Sequence, residues 1–184
     1  IITAGAWTGP MLRGMGLLLP LQVSEEQYSF FKALKAELFE IGKFPVFLHY
    51  GSGIDDGIGW YGMPIFNKDG VKSSVHKSGK HVTAKSRDFE PSMHNLEKLQ
   101  ERMKKFLPDA AGEILSTSTC LYTNTPDSHF IIDHPAGREN TCFFAGCSGH
   151  AFKFAPLIAQ MLIDLINKKE SLAGIELFSS KRFQ

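Results

Sequence analysis

Lys72, Ser74 and His76 fall at every second position of a short apolar-edged run, with Val71, Ser73 and Val75 between them. In a strand that spacing puts the lysine, the serine and the histidine on one face. Such a face can line a polar cavity, where burial disfavours the charged form of both bases. The same pattern suits a solvated sheet face. A second basic residue, Lys153, sits between Phe152 and Phe154 where Gly146-Cys147-Ser148-Gly149-His150 gives way to a helical run. A helix N-terminus carries about half a positive charge, so a lysine there is disfavoured by roughly 0.3–1 kcal/mol. An anion or electron-rich cofactor held by Lys153, or by the N–H groups near Gly149 and His150, would account for it. A side chain that snorkels to water would also do so. Cys120 heads a strand-like segment and on composition alone is a small buried thiol. Tyr61, between Trp60 and Gly62, reads as an aromatic in a strand. Cys142, Cys147 and His150 are the nearest approach to a ligand set, and neither they nor His129 and His134 have a zinc spacing, so no metal is expected.

These residues need elements to hold them. Ile1 to Ala4 reads as a strand, followed by a turn and a short helix over 11–15 that Gly16 stops. Residues 24–41 carry two patterns: a capping-box-like Ser24 and Gln27 with apolar residues at helical spacing, and a run of Val23, Tyr28, Phe30 and Phe31 that suits a strand. A strand over about 20–31 with a short helix after it is the reading adopted. The runs 45–50, 58–66 and 71–75 are rich in aromatic and β-branched residues and are punctuated by glycine and aspartate, as in a meander. Ser92 to Leu107 is an amphipathic helix with Met93, Leu96, Leu99, Met103 and Phe106 in one stripe. Strands are expected near 114–123, 128–132 and 141–145. A last helix, about 150–168, should turn Leu157, Ile158, Met161, Leu162, Leu165 and Ile166 inward.

The chain has 184 residues and a formal net charge of +1, with acidic and basic residues interspersed, so nothing in it steers toward nucleic acid or an anionic membrane. Three cysteines without a CxxC argue for a reducing compartment. No apolar run approaches the roughly 20 residues of a membrane span. A cytoplasmic protein is expected. The opening Ile1-Ile2-Thr3-Ala4 reads as a strand already under way, so the chain is expected to be part of a longer one.

Three stretches carry a family resemblance: Ile1-Ile2-Thr3-Ala4-Gly5-Ala6-Trp7-Thr8, the run Cys120-Leu121-Tyr122-Thr123-Asn124 through Asp133, and Gly146-Cys147-Ser148-Gly149-His150-Ala151-Phe152-Lys153. The chain resembles the C-terminal half of the monomeric sarcosine oxidase-type flavoenzymes, which include pipecolate and N-methyltryptophan oxidases and, more distantly, the fructosyl-amine oxidases. Residues 22–57 match weakly. The resemblance implies an α+β fold: a mixed sheet forming a substrate domain over 19–115, with residues 1–18 and 116–184 belonging to a Rossmann-like FAD-binding domain. It implies FAD bonded through the sulfur of Cys120. It makes Lys153 the partner of a substrate carboxylate and puts Tyr61 and His76 on the substrate side of the flavin. Lys72 becomes the cation that helps O2 accept electrons, and Gly146, Ser148, Gly149, His150 and Lys153 border the cofactor. The implied reaction oxidises a secondary amino acid such as sarcosine or pipecolate to an imine and reduces O2 to H2O2, in a monomeric enzyme. Lys153 argues against the fructosyl-amine branch. Ala151 and Cys147 depart from the family pattern, and the phosphate-binding G-x-G-x-x-G expected near the start of a complete member is missing from this start. The rival expectation is an inactive truncated chain or an interaction module, and the 184 residues alone are expected to have no turnover.

Overall fold

The computed structural model describes residues 1–50, 59–66, 70–170 and 174–183; Ile58, the first residue of one expected strand, lies outside them. The chain divides into two compact units. The first comprises Ile1–Ser24, His81–Arg87 and Leu121–Gln184, and the second Glu25–Lys80 and Asp88–Cys120. The divisions at 24/25 and 120/121 fall within two long strands, β1 (Gln22–Phe31) and β6 (Ile114–Asn124).

A sheet of six strands organises the second unit. β2 (Phe47–His49), β3 (Trp60–Met63), β4 (Val71–Val75), β1 and β5 (Lys80–Val82) follow one another in that order, and β6 pairs with β1. The meander expected from the punctuated runs is present, with β2, β3 and β4 antiparallel. The ambiguous stretch 24–41 resolves as β1 followed by a single 3-10 turn at Ala36–Leu38. Phe31, Trp60, Val71 and Val75 form the core face of the sheet with Leu99 and Met103 of α2 (Met93–Phe106). Each of those two helix side chains is fully buried, worth about 1.5–3 kcal/mol. Ser92 caps α2 by accepting the Asn95 N–H, and Lys104 and Lys105 sit where the helix dipole favours cations. The apolar stripe is shorter than its sequence spacing suggests. Met93 lies exposed on the first turn, and Phe106 leans from the last turn onto Trp60 and His49, with ring centroids 5.6 and 5.8 Å apart.

In the first unit, a 3-10 turn at Gly5–Trp7 leads into α1 (Thr8–Gly14), and Gly16 ends it with φ +87°. The expected strand at residues 1–4 reduces to one parallel bridge, Ile2 to Phe143. β7 (Ile131–Asp133) pairs with β8 (Phe143–Ala145). β7 starts later than expected because Ser128 takes a left-handed φ of +62° in the preceding turn. Ile158, Met161 and Leu162 of α3 (Ala155–Ile166) pack on Phe130, Ile132 and Cys142. The helix begins at Ala155 rather than 150, for two local reasons. Ser148 and Gly149 have φ of +46° and +78°, which no α-helix accepts, and Pro156 fits only a first turn. Phe152–Phe154 form a separate 3-10 turn, and the shift leaves Leu157 exposed rather than inward.

The C-terminal residues are held by carboxylates. Asp133 accepts from the Ser180 N–H and from the hydroxyls of Ser179 and Ser180. Burial raises its carboxyl, but these donors and the His134 N–H together hold it below the usual range. The Arg182 guanidinium, 2.7 Å from Asp127, pulls that carboxyl down to about 2. Among the described residues no helix is long and apolar enough to cross a membrane.

Candidate functional site

The register of the second unit's sheet decides which side chains meet. Tyr61 stands opposite Ser74, Met63 opposite Lys72, and Phe30 opposite Lys72 on the other side. Directly opposed residues share a face, and next-but-one neighbours do too. Tyr28, Phe30, Tyr61, Met63, Lys72 and Ser74 therefore occupy the face away from Leu99 and Met103. His76 follows them, because its N–H donates to Gly59 O (2.6 Å) and extends the pairing past the end of β4. Cys120 joins by the same rule. The hydroxyls of Ser29 and Thr117 meet at 2.9 Å on the core side, and Cys120, three residues further along β6, alternates to the opposite side. Tyr61, Lys72, His76 and Cys120, given roles together by the family resemblance, thus share one face of one sheet.

That face is half-buried at Tyr28, Phe30, Tyr61, Lys72, His76 and Cys120, with Ser74 buried and Met63 exposed. Lys72 is held in an unusual way. Its Nζ lies 4.2 Å from the centroid of the Tyr28 ring, and among the described residues no carboxylate pairs with it. Other lysines in the chain are neutralised, such as Lys80 by Asp88 at 2.5 Å and Lys168 by Glu139 at 2.7 Å. Beneath the face, the Trp60 Nε1–H donates to Ser73 Oγ (2.8 Å), and Ser73 Oγ donates to the Tyr61 carbonyl (2.9 Å). Trp60 and Ser73 are buried, so this chain ties the backbone of Tyr61 to the core.

The remaining candidates sit in the loop between β8 and α3. Gly146, Ser148 and Gly149 all have positive φ, which turns the chain sharply. Ser148 is fully buried; its N–H bonds Thr123 O, and its hydroxyl bonds Gly146 O and the Thr125 N–H. Its side chain builds the loop and does not face outward. Gly146 is needed internally as well, since a Cβ there would come within 2.5 Å of Thr125 Cγ2. The His150 N–H is taken by Cys147 O (3.0 Å), so it is not a free helix donor as the sequence suggested. The His150 Nδ1 carries the proton toward Ser148 O (3.1 Å), and the ring stacks on Phe130 at 4.8 Å. Lys153 projects as an exposed cation 5.4 Å from the Phe154 ring, again with no carboxylate partner among the described residues. Phe152 beside it is 94% exposed.

The three thiols differ. Cys142 is fully buried with Sγ 3.6 Å from Leu162 O, and burial pushes its thiol up. Burial also pushes up Cys147. Cys120 alone lies on the face of Lys72. Among the described residues no cluster of three or more His, Cys, Asp or Glu side chains is placed to hold a metal ion.

A model of the FAD-dependent oxidoreductase family matches residues 1–165. The chain belongs to that family. A monomeric sarcosine oxidase from a Bacillus species is 29% identical over 184 residues, covering 99% of this chain and 46% of that protein. Human peroxisomal sarcosine oxidase is 30% identical, covering 100% of the chain and 47% of that protein. Among solved structures, L-proline dehydrogenase from P. horikoshii superposes with a TM-score of 0.78 at 23% identity, over the whole chain and 46% of that structure. The chain spans about half the length of the curated relatives it matches.

The residues present fit the flavin this family uses: a half-buried thiol, aromatics and a cation with no carboxylate partner among the described residues lie on one face. Glu26, the buried carboxylate that alternation along β1 places on the same face, accepts the Gly79 N–H at 2.9 Å. The phosphate-binding turn is a different matter. Gly57-Ile58-Gly59-Trp60-Tyr61-Gly62 has its letters but runs into β3 and not into a helix, so it is no dinucleotide fingerprint. Sequence reasoning missed Tyr28. The signal was present in its alternation with Phe30, but the helical spacing of 24–41 competed with it.

Proposed function

We propose that the protein containing this chain is an FAD-dependent oxidase of secondary amino acids, sarcosine-like N-methyl amines foremost, converting the amine to an imine and O2 to H2O2. The observation that supports it most is the shared face of Tyr61, Lys72, His76 and Cys120, on which the lysine lies against an aromatic ring and not a carboxylate. Residues 19–115 would form the substrate domain, and residues 1–18 and 116–184 would belong to the flavin-binding domain.

Bound FAD would supply the two-electron acceptor for the carbon next to the amine nitrogen, and the electrons would pass on to O2. Cys120 would hold it through a thioether, and the loop of Gly146, Ser148, Gly149 and His150 would border it, with Ser148 shaping the loop. The other residues handle charge and protons. Lys153, exposed and with no carboxylate partner among the described residues, pairs with the substrate carboxylate. Its positive charge favours the anionic form of the amino acid, whose amine has lost its proton, over the zwitterion. His76 takes up that proton, and Tyr61 packs against the amine side of the substrate. Lys72 then stabilises negative charge as it develops on O2.

The test uses the full-length protein. After acid precipitation, flavin should stay in the pellet of the wild type and wash out of Cys120→Ala; flavin that washes out of the wild type removes the tether. Peroxide release should be found with sarcosine, and comparison with pipecolate and N-methyltryptophan ranks the substrates. Lys153→Met should raise KM by roughly 10- to 100-fold, the worth of a hydrogen bond to a charged group at about 1.5–3 kcal/mol. An unchanged KM removes the carboxylate assignment. Protein with neither flavin nor peroxide release would support the interaction-module alternative.

A further inference from the structure

Lys72 poses a problem that its role does not solve. A flexible four-carbon stem with a single charge does not stay in one place on a half-open face, and the usual restraint, a carboxylate, would cancel the field that the charge exerts. Here the restraint is a ring. The Lys72 ammonium stands 4.2 Å from the centroid of Tyr28, where the π-face attracts a cation. The ring is itself oriented, since Tyr28 meets Phe30 edge-to-face at 6.0 Å, and Phe30 is directly across the β1–β4 pairing from Lys72. The backbone register therefore fixes ring and lysine stem relative to one another, and among the described residues no carboxylate pairs with the ammonium.

We propose that Tyr28 is a positioning residue for Lys72, holding its ammonium at one spot on the open face while leaving its net charge intact. The inference rests on the reading of Lys72 as the cation that serves O2. It assigns a role to a residue in the stretch of the chain where the family resemblance is weakest.

Two readouts test it in the full-length, flavin-loaded protein. The first is independent of turnover. Lysines are reductively methylated with 13C-formaldehyde, which keeps the charge, and the Lys72 signal is identified by its loss in Lys72→Arg. A methylammonium above a ring is shifted upfield; the shift should survive Tyr28→Phe and vanish in Tyr28→Leu. A Lys72 signal that sits at the position of the surface lysines, or that does not move in Tyr28→Leu, overturns the proposal. The second readout separates the half-reactions. Tyr28→Leu should lower the second-order constant for O2 by about 5- to 30-fold, the range of a partly desolvated cation–π contact, and leave anaerobic reduction by sarcosine within about twofold. Tyr28→Phe should restore the O2 constant to within about threefold. Fluorinated phenylalanine at position 28, which keeps the shape and strips the ring of electron density, should fall between the two and guards against a Leu variant that fails to fold. Lys72→Met separates the two ideas. If it lowers the O2 constant while Tyr28→Leu and the fluorinated ring do not, the positioning role is overturned. If Lys72→Met leaves the O2 constant unchanged, the oxygen role fails and the ring-current shift alone decides where the lysine is held.

Discussion

Ser73→Ala should destabilise the protein through one stranded donor. Ser73 is fully buried and receives the Trp60 Nε1–H at 2.8 Å while donating to the Tyr61 carbonyl at 2.9 Å. Removing the hydroxyl leaves the indole N–H, at a residue only 3% exposed, with no water to replace its partner. An unsatisfied buried donor costs about 1–3 kcal/mol, and losing the bond to the carbonyl adds about 0.5–1.5. The sum is about 3 kcal/mol, since the lost atom is small and leaves little cavity. In a Trp60→Phe background there is no indole N–H to strand, so the same Ser73→Ala change should cost only about 1 kcal/mol. The coupling between the two sites is then about 2 kcal/mol, the range expected for residues in direct contact. Urea unfolding followed by far-UV circular dichroism measures all four proteins without relying on the fluorescence of a residue being replaced. Penalties for Ser73→Ala that agree within about 0.3 kcal/mol in both backgrounds would refute the reasoning.

Gly146→Ala should cost about 2 kcal/mol or more, because an alanine at φ +75° is strained and its Cβ would press on Thr125 Cγ2; thermal unfolding checks this, and a loss below about 0.5 kcal/mol means the loop adapts freely. The anchors of the C-terminal residues should weaken in acid. Asp127, held at about 2 by Arg182, and Asp133, held low mainly by Ser180, both have folded-state values below their unfolded ones. Their stabilisation is therefore full above the unfolded values, near pH 4, and is lost as the pH falls through the folded ones, about 2 for Asp127. For the partly exposed Asp127 this amounts to about 1 kcal/mol after solvent screening. Limited proteolysis between pH 5 and 2.5 should show the C-terminal residues clipped first at the acid end, and Asp127→Asn should flatten that dependence.

Much of this was legible in the residues themselves. α2 could be read because Ser92 and the Leu99/Met103 stripe act within one helix, and β4 because its alternation spans only five residues. Tyr28 was not legible as a partner of Lys72, because the contact depends on β1–β4 pairing across more than forty positions of chain. The start of α3 was misjudged for a different reason. Apolar periodicity runs on through Phe152 and Phe154, but backbone handedness at Ser148 and Gly149 is invisible to it. Ser148 shows the same limit, since its residue type suits a ligand contact while the fold spends its hydroxyl inside the loop.

The division of labour across the second unit's sheet has an evolutionary consequence. Trp60, Ser73, Val71 and Val75 face one way, and Tyr61, Lys72, Tyr28 and Phe30 face the other, along the same three strands. Point substitutions at the second set leave the core side chains where they are, so the face they form can change with little loss of foldability. Insertions are a different class of event. One extra residue in β4 would exchange the two faces, driving lysine into the core and valine onto the surface. Lineages that descend from this scaffold should therefore vary in side chains along these strands and hold their strand lengths fixed.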